Sequence, residues 1–196
     1  MVVIAMAVAH NWTTEGWLYV AAVLHLFSRR VVGWSMKAGR DASLVMDALM
    51  VAVWRRGKAD ALLHHSGQGS QYTSEQFQRL LADNGIACSM NRAGNVWDNS
   101  AMESFFSSLK AGRTAHKVYR ARDEARADVF DYIERFYNPR RRHSALGGKK
   151  PLAFDRQAAQ TRNRSGINTR QVQIRGAGAA AHRGSLRRSW PVPASH

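Results

Sequence analysis

The sequence is poor in several things, and each shortage closes a class of explanation. A single cysteine, Cys88, stands among 196 residues, which excludes a disulfide framework or a cysteine-based zinc ribbon within one chain and favours a reducing setting. No apolar run approaches the roughly 20 residues needed to cross a bilayer. The longest, over 1–9, lacks the positive flank of a secretory signal and is expected to be a strand. No internal repeat is present. Acidic residues are scarce: 14 Asp and Glu face 29 Lys and Arg, a formal charge of +15 that calls for a polyanionic partner such as DNA, RNA or an anionic surface. Beyond Asp155 there is no acid at all, and eight arginines carry +8 of that excess over residues 156–196.

What remains is a chain of ordinary hydrophobic content, 45%, sufficient to bury one core at roughly 100–200 residues per domain. Two regions are expected: a core domain over 1–155 and a basic, disordered tail over 156–196, whose Ala, Gly, Ser, Gln and Arg show no period. β-Branched and aromatic runs at 17–27 and 31–36, separated by Ser28-Arg29-Arg30, predict a hairpin. Helices are predicted over 41–56, where Gly57 is the stop, and over 73–84, where Thr73 and Gln76 form a capping box and Phe77, Leu80 and Leu81 point inward. Short strands flank that second helix at 61–65 and 86–90. A loop over 91–99 then leads, through an Asp98 or Asn99 N-cap, into a helix ending at Leu109. A last helix, 122–137, packs Val129, Tyr132, Ile133 and Phe136 before Asn138-Pro139 ends it. This order of elements is an α/β domain with a mixed sheet.

Ligands of open α/β sheets gather beyond the carboxyl ends of the strands, which directs attention to the loop after 61–65 and to the helix that carries Glu103. On that helix Glu103, Ser107 and Lys110 share one face while Met102, Phe105, Phe106 and Leu109 share another. Taken alone, Glu103 is either a solvated surface carboxylate or a catalytic one. His64 and His65 are neighbours on a strand, so they point to opposite faces and do not share one ion. Arg140, Arg141, Arg142 and His143 follow a helix as a dense basic cluster. They suit phosphate oxygens, and equally a solvated helix end whose dipole favours cations.

The order of longer motifs is more specific. Glu15-Gly16-Trp17-Leu18-Tyr19 is followed by Leu26-Phe27-Ser28-Arg29-Arg30-Val31-Val32-Gly33-Trp34, then by His64-His65-Ser66 and Gly69-Ser70-Gln71-Tyr72. Gly94-Asn95, Trp97-Asp98-Asn99 and Ala101-Met102-Glu103-Ser104-Phe105-Phe106 come next, and Tyr137-Asn138 with Arg140, Arg142, His143 and Leu146-Gly147 complete the set. Over about residues 12–155 these stretches resemble, in collinear order, the integrase-core catalytic subunit of bacterial insertion-sequence transposases, within the retroviral-integrase superfamily.

That resemblance implies a ribonuclease-H-like fold, a mixed sheet flanked by helices. It also implies a triad of two Asp and one Glu holding two divalent ions, magnesium or manganese, which activate a nucleophile and stabilise the leaving oxygen of a phosphodiester. The Glu of the triad maps to Glu103, the implied catalytic and metal-binding residue. The second Asp maps to Gly67, with the family's spacing of 35 intervening residues retained, and the first to Ala7, eight residues before Glu15. Two triad positions thus lack carboxylates, and neither Glu15, Asp60 nor Glu75 is placed to replace them. His25 also stands where the family has Asp, and Gly148-Lys149-Lys150-Pro151 departs from its pattern. The implied partners are DNA, both insertion-sequence ends and target, and a separate helix-turn-helix subunit, with a homo-oligomer open and no membrane. The implied setting is the bacterial cytoplasm at the nucleoid. Two functions follow. One is a transposase-family protein whose DNA strand transfer is impaired. The other is a catalytically dead DNA-binding protein, gripping through Lys110, Arg140, Arg141, Arg142 and His143, that interferes with active transposase.

Overall fold

The alternation of β-branched and small apolar residues through the first 37 positions builds three strands: β1 (Val2–Thr13), β2 (Gly16–His25) and β3 (Arg30–Lys37). The computed structural model describes residues 2–56, 62–66, 70–90, 96–115, 117–161 and 164, and of 2, 56, 62–66, 70, 88–90 and 96–99 it describes the backbone. The three strands form an antiparallel meander. β4 (Leu62–Ser66) then adds to the free edge of β1 in parallel, and β5 (Ile86–Met90) adds to β4 in the same sense, giving the sheet order β3-β2-β1-β4-β5. β1 runs four residues past the expected end at Ala9, because β2 pairs with it all the way to Thr13↔Gly16. In the last described pair of β4 with β1, Ser66 is opposite Met6.

Side chains of a strand alternate between faces, and the sheet is covered on both. Ile4, Met6, Ala21, Val23 and Val32 pack under α1 (Ala42–Arg56) and under Phe77 and Leu81 of α3 (Glu75–Asp83). Ala5, Val20, Ala22, Leu24 and Val31 pack on the other side, against α4 (Val96–Leu109) and the last long helix. The α1 contact is so close that a Cβ on Gly33 would lie 2.2 Å from the Ala48 carbonyl oxygen, so only glycine lets that helix sit on β3. Asp41 starts α1 by accepting from the Leu44 backbone N–H (3.1 Å). Gly57 lies outside the described residues.

Several local expectations are corrected. α3 is capped by Ser74, whose Oγ accepts from the Phe77 N–H, rather than by Thr73, because Thr73 ends the single helical turn α2 (Ser70–Thr73). α4 begins at Val96, before Asp98 and Asn99, which are therefore inside the helix and not at its cap. The last long helix is α5 (Arg122–Phe130) continued by a π-helical stretch, Asp131–Tyr137. Wider π winding delays each later side chain by about one position, so Tyr137 is buried while Phe136, expected inside, is 37% exposed.

By chain contacts the molecule divides into Met1–Asp155 and Arg156–His196. A sixth helix, α6, runs over 151–161, so the start of the stretch expected to be disordered is helical, favoured by Pro151 at the helix start and by Ala158 and Ala159 within it. Residues 165–196 lie outside the described residues. In the first unit Asp155 joins the β2–β3 turn, at 2.9 Å from Arg30 and 3.3 Å from His25, whose Nδ1 also lies 2.6 Å from Ser28 Oγ. No helix among the described residues is long and apolar enough to cross a membrane.

Candidate active-site cleft

Met6 with Ser66 is the last described β1–β4 pair, and β1 continues from Ala7. A cleft of about 380 Å³ opens there, lined by Ala7, Val8, Ala9 and His10 from β1 and by Met102, Glu103, Phe106, Ser107 and Lys110 from the chain that crosses it. Two remote sequence positions, Ala7 and Glu103, thus line one cavity midway along β1, just past the last described β1–β4 pair.

Glu103 is left at the cleft because α4 is held by its apolar side, of which Met102 and Phe106 also reach the cleft wall. Met102, Phe105, Phe106 and Leu109 are buried, and the Phe105 ring meets those of Phe106 and Tyr137, both at 4.9 Å between centroids. Ser108 Oγ lies 2.7 Å from the Tyr132 hydroxyl and ties the same helix to the π-helical stretch. Glu103, Ser107 and Lys110 are left exposed as one stripe, as the helical period requires.

The donor set of this cleft does not fit a magnesium or manganese ion. Magnesium takes near-octahedral oxygen coordination and normally rests on carboxylates. Glu103 is the sole carboxylate among the lining residues, and the Lys110 ammonium shares the cavity. Among the described residues no group of three His, Cys, Asp or Glu could hold a metal. Gly67 lies outside the described residues, and a glycine supplies no side-chain ligand.

The predicted basic cluster is a separate place. The cleft takes in Lys110 but none of Arg140–His143. Arg140 and Arg142 are exposed, whereas Arg141 and His143 are half-buried. The His143 ring lies edge-on against Tyr137 at 5.1 Å, and its Nε2 is buried without a hydrogen-bond partner. Burial first, then the positive charges of Arg141 and Arg29, push its pKa down to about 4. At neutral pH it is an uncharged packing residue, and its backbone pairs with Lys149.

In the sequence Asn138 stands in a helix stop and in one of the collinear motifs, neither of which gives its structural role. Its buried side chain in fact completes the sheet edge: Oδ1 accepts from the Val31 N–H (2.9 Å) and Nδ2 donates to the Val31 carbonyl (3.0 Å). The outward-facing amide of an edge strand needs such a partner, and only the pairing pattern shows where it is. The far end of the β1–β2 hairpin is also held from a distance. Thr14 N–H donates to the Tyr119 carbonyl (3.0 Å), and the Arg122 guanidinium donates to the carbonyls of Glu15 and Trp17.

Comparison with known proteins places this geometry. Two family models, each described as an integrase core domain, match residues 3–96 and 84–151. The transposase InsF of insertion sequence IS3fB from Escherichia coli strain K12 is 43% identical over 145 residues, 74% of this chain and 50% of its own length. A transposase of insertion sequence element IS904 from Lactococcus lactis is 41% identical over 144 residues, 74% of this chain and 57% of its own. The chain therefore spans about half the length of the curated relatives it matches. In fold it is similar to the catalytic core of BIV integrase (TM-score 0.57, 16% identity, 82% of this chain and 97% of that one). It is likewise similar to the HTLV-2 integrase core solved in complex with magnesium (TM-score 0.54, 16% identity, 76% and 92%). The ribonuclease-H-like mixed sheet, the collinear motifs and the matched models agree, and the chain belongs to the integrase-core family that includes the insertion-sequence transposases.

Proposed function

We propose that this chain is the DNA-strand-transfer core of an insertion-sequence transposase in which metal-dependent chemistry is impaired. The observation that supports the reading is the shared cleft: Ala7 and Glu103 line one cavity, and Ala7 supplies no carboxylate to it. Ala7, Gly67 and Glu103 are the three triad positions of this reading, so Glu103 alone retains a metal-binding and catalytic group. One carboxylate beside an ammonium holds a divalent cation poorly. Loss even of groups supporting the ligands costs roughly 10–100-fold in affinity or activity.

The test is metal-dependent cleavage and rejoining of pre-branched DNA, which bypasses end recognition by the separate helix-turn-helix subunit this reading assigns as partner. Activity is expected in the Ala7→Asp, Gly67→Asp double variant and not in the chain as it stands. Activity in the unaltered chain overturns the impairment.

A second reading, a DNA-binding protein that interferes with active transposase, draws on the exposed cations Lys110, Arg140 and Arg142 and on the +15 charge. If six to ten phosphates are neutralised, affinity falls by about 10³–10⁵ between 50 and 200 mM salt. In this reading Arg141 and His143 shape the loop, and Arg140 and Arg142 carry the phosphate contacts.

A further inference from the structure

Two of the collinear motifs, at 26–34 and 137–147, lie outside the Glu103 cleft, and the fold brings them together. The paired bonds between Asn138 and Val31 fasten the end of the π-helical stretch to the start of β3, so the β2–β3 turn over 26–29 lies beside Tyr137 and the loop that follows it. Two half-buried arginines stand at this junction, Arg29 from the turn and Arg141 from the loop.

Their charges lack what a neighbouring charge has. Arg30, next to Arg29, is paired with Asp155 at 2.9 Å, and His25 shares that carboxylate. Neither Arg29 nor Arg141 has an ion pair among the described residues, and Arg141 Nε is enclosed without a hydrogen-bond partner. Arg29 also has a backbone φ of +56°, the one positive value outside glycine among the described residues. Such a conformation persists where its surroundings impose it, and it gathers at ligand clamps. Here the His25–Ser28 contact and the Arg30–Asp155 pair hold the turn on either side of it.

Both charges act on the same two rings. Burial, then Arg141 and Arg29, push His143 down, while burial and Tyr132 push the Tyr137 hydroxyl above its ordinary range against the pull of the same two arginines. Tyr137 is 2% exposed, its ring lies 5.1 Å from that of His143, and its hydroxyl makes no hydrogen bond among the described residues. Partly desolvated cations without a counter-charge are unfavourable until an anion completes them. A guanidinium fork meets phosphate oxygens two at a time, and a tetrahedral phosphate offers oxygens to two forks at once, where a planar carboxylate is taken up by one.

We propose that Arg29 and Arg141, with the Tyr137 hydroxyl, form a binding site for a phosphate group, filled by a backbone phosphodiester of bound DNA. The site rests on the unpaired charges, and the choice of DNA as its source rests on the DNA reading above. Arg141 then has a ligand of its own besides its part in shaping the loop.

The experiment measures thermal unfolding of the full chain at pH 7 in sodium phosphate and in sodium chloride of equal ionic strength. Arg29→Gln, Arg141→Gln, the charge-retaining Arg29→Lys and Arg141→Lys, and Arg120→Gln at an exposed arginine are compared with the unaltered chain. The readout is each protein's own difference between the two salts, so a packing loss common to both cancels. Phosphate is expected to raise Tm by roughly 2–5 °C in the unaltered chain and in Arg120→Gln. The rise is expected to vanish in both glutamine variants and to persist in part in the lysine variants, which keep the charge and lose the fork. No rise in the unaltered chain, or an equal rise in all six proteins, overturns the site. Binding to a labelled duplex at fixed ionic strength then identifies the source. Several-fold competition by phosphate in the unaltered chain, absent in Arg29→Gln, supports the DNA phosphodiester. A phosphate-specific rise without such competition overturns DNA as the occupant and assigns the site to free inorganic phosphate. No duplex binding at low salt overturns the DNA reading, and the rise in phosphate then decides the site by itself.

Discussion

The two halves of β1 behave as different materials. From Val2 to Met6 the strand has a partner on each edge, β2 and β4, and helices over both faces. Ile4 and Met6 are 1% and 3% exposed. From Ala7 to Thr13 the strand paired along it among the described residues is β2, with a single bridge from Thr13 to Tyr119; Ala7, Val8 and Ala9 line a cleft, and Trp12 is 55% exposed. One continuous strand thus passes from scaffold to site just after its last described pair with β4. Burial makes the inner half intolerant of change and also holds Asn11 and Thr13, while Ala7 to Ala9, partly exposed at the cleft, can lose or gain a functional group at little structural cost. On the triad assignment proposed above, position 7 can therefore be alanine in a chain whose fold persists.

Four measurements would break or sharpen that contrast. The largest stability effect belongs to the inner half: Ile4→Ala should cost about 2–5 kcal/mol in urea unfolding, the usual range for a fully buried aliphatic side chain. A cost near zero would mean that the inner half is not the scaffold described. At the sheet's far edge Asn138→Ala strands the Val31 N–H and carbonyl, and a loss of about 1–3 kcal/mol is expected for such buried, unpaired groups.

Next comes the outer half. Ala7→Asp together with Gly67→Asp should move stability by less than about 1.5 kcal/mol in the absence of metal, the cost being like-charge repulsion with Glu103 in a solvated cleft. The same pair should create a manganese-dependent rise in Tm that the unaltered chain lacks, since a ligand that binds only the folded state stabilises it. Equal responses of the two proteins to manganese would remove the triad assignment.

The smallest effect is one of pH. His143 has a folded pKa of about 4, below its ordinary 6.5. The unfolded chain therefore binds this proton more readily, and the associated stability, complete above pH 6.5, is lost as pH falls through the folded value. A His143→Phe variant should lose less stability than the unaltered chain between pH 6.5 and 4. Identical pH profiles would show that His143 does not titrate as its surroundings dictate.

Element types were legible because they depend on local patterns. The β-branched and aromatic runs of β2 and β3, the 3.6-residue spacing of Leu44, Val45, Ala48, Leu49 and Ala52, and the stripe of Glu103, Ser107 and Lys110 all read directly. Errors gathered where a register changed without any local sign. The π-helical widening over Asp131–Tyr137 exchanged Phe136 for Tyr137 in the core, and the single turn Ser70–Thr73 displaced the cap from Thr73 to Ser74. In each case a difference of one residue was decided by packing or by hydrogen bonds to neighbouring elements.

By itself the sequence determined the family, the mixed α/β order, the excess of positive charge and the presence of one carboxylate on the exposed face of α4. Composition, period and motif order are properties of the chain read in line. Tertiary structure alone decided that Ala7 shares a cavity with Glu103, that Asn138 pairs with Val31, and that His143 is held neutral. Each of these depends on which residues meet across long separations. That is set by strand register, helix phase and burial, which no single segment of the chain encodes.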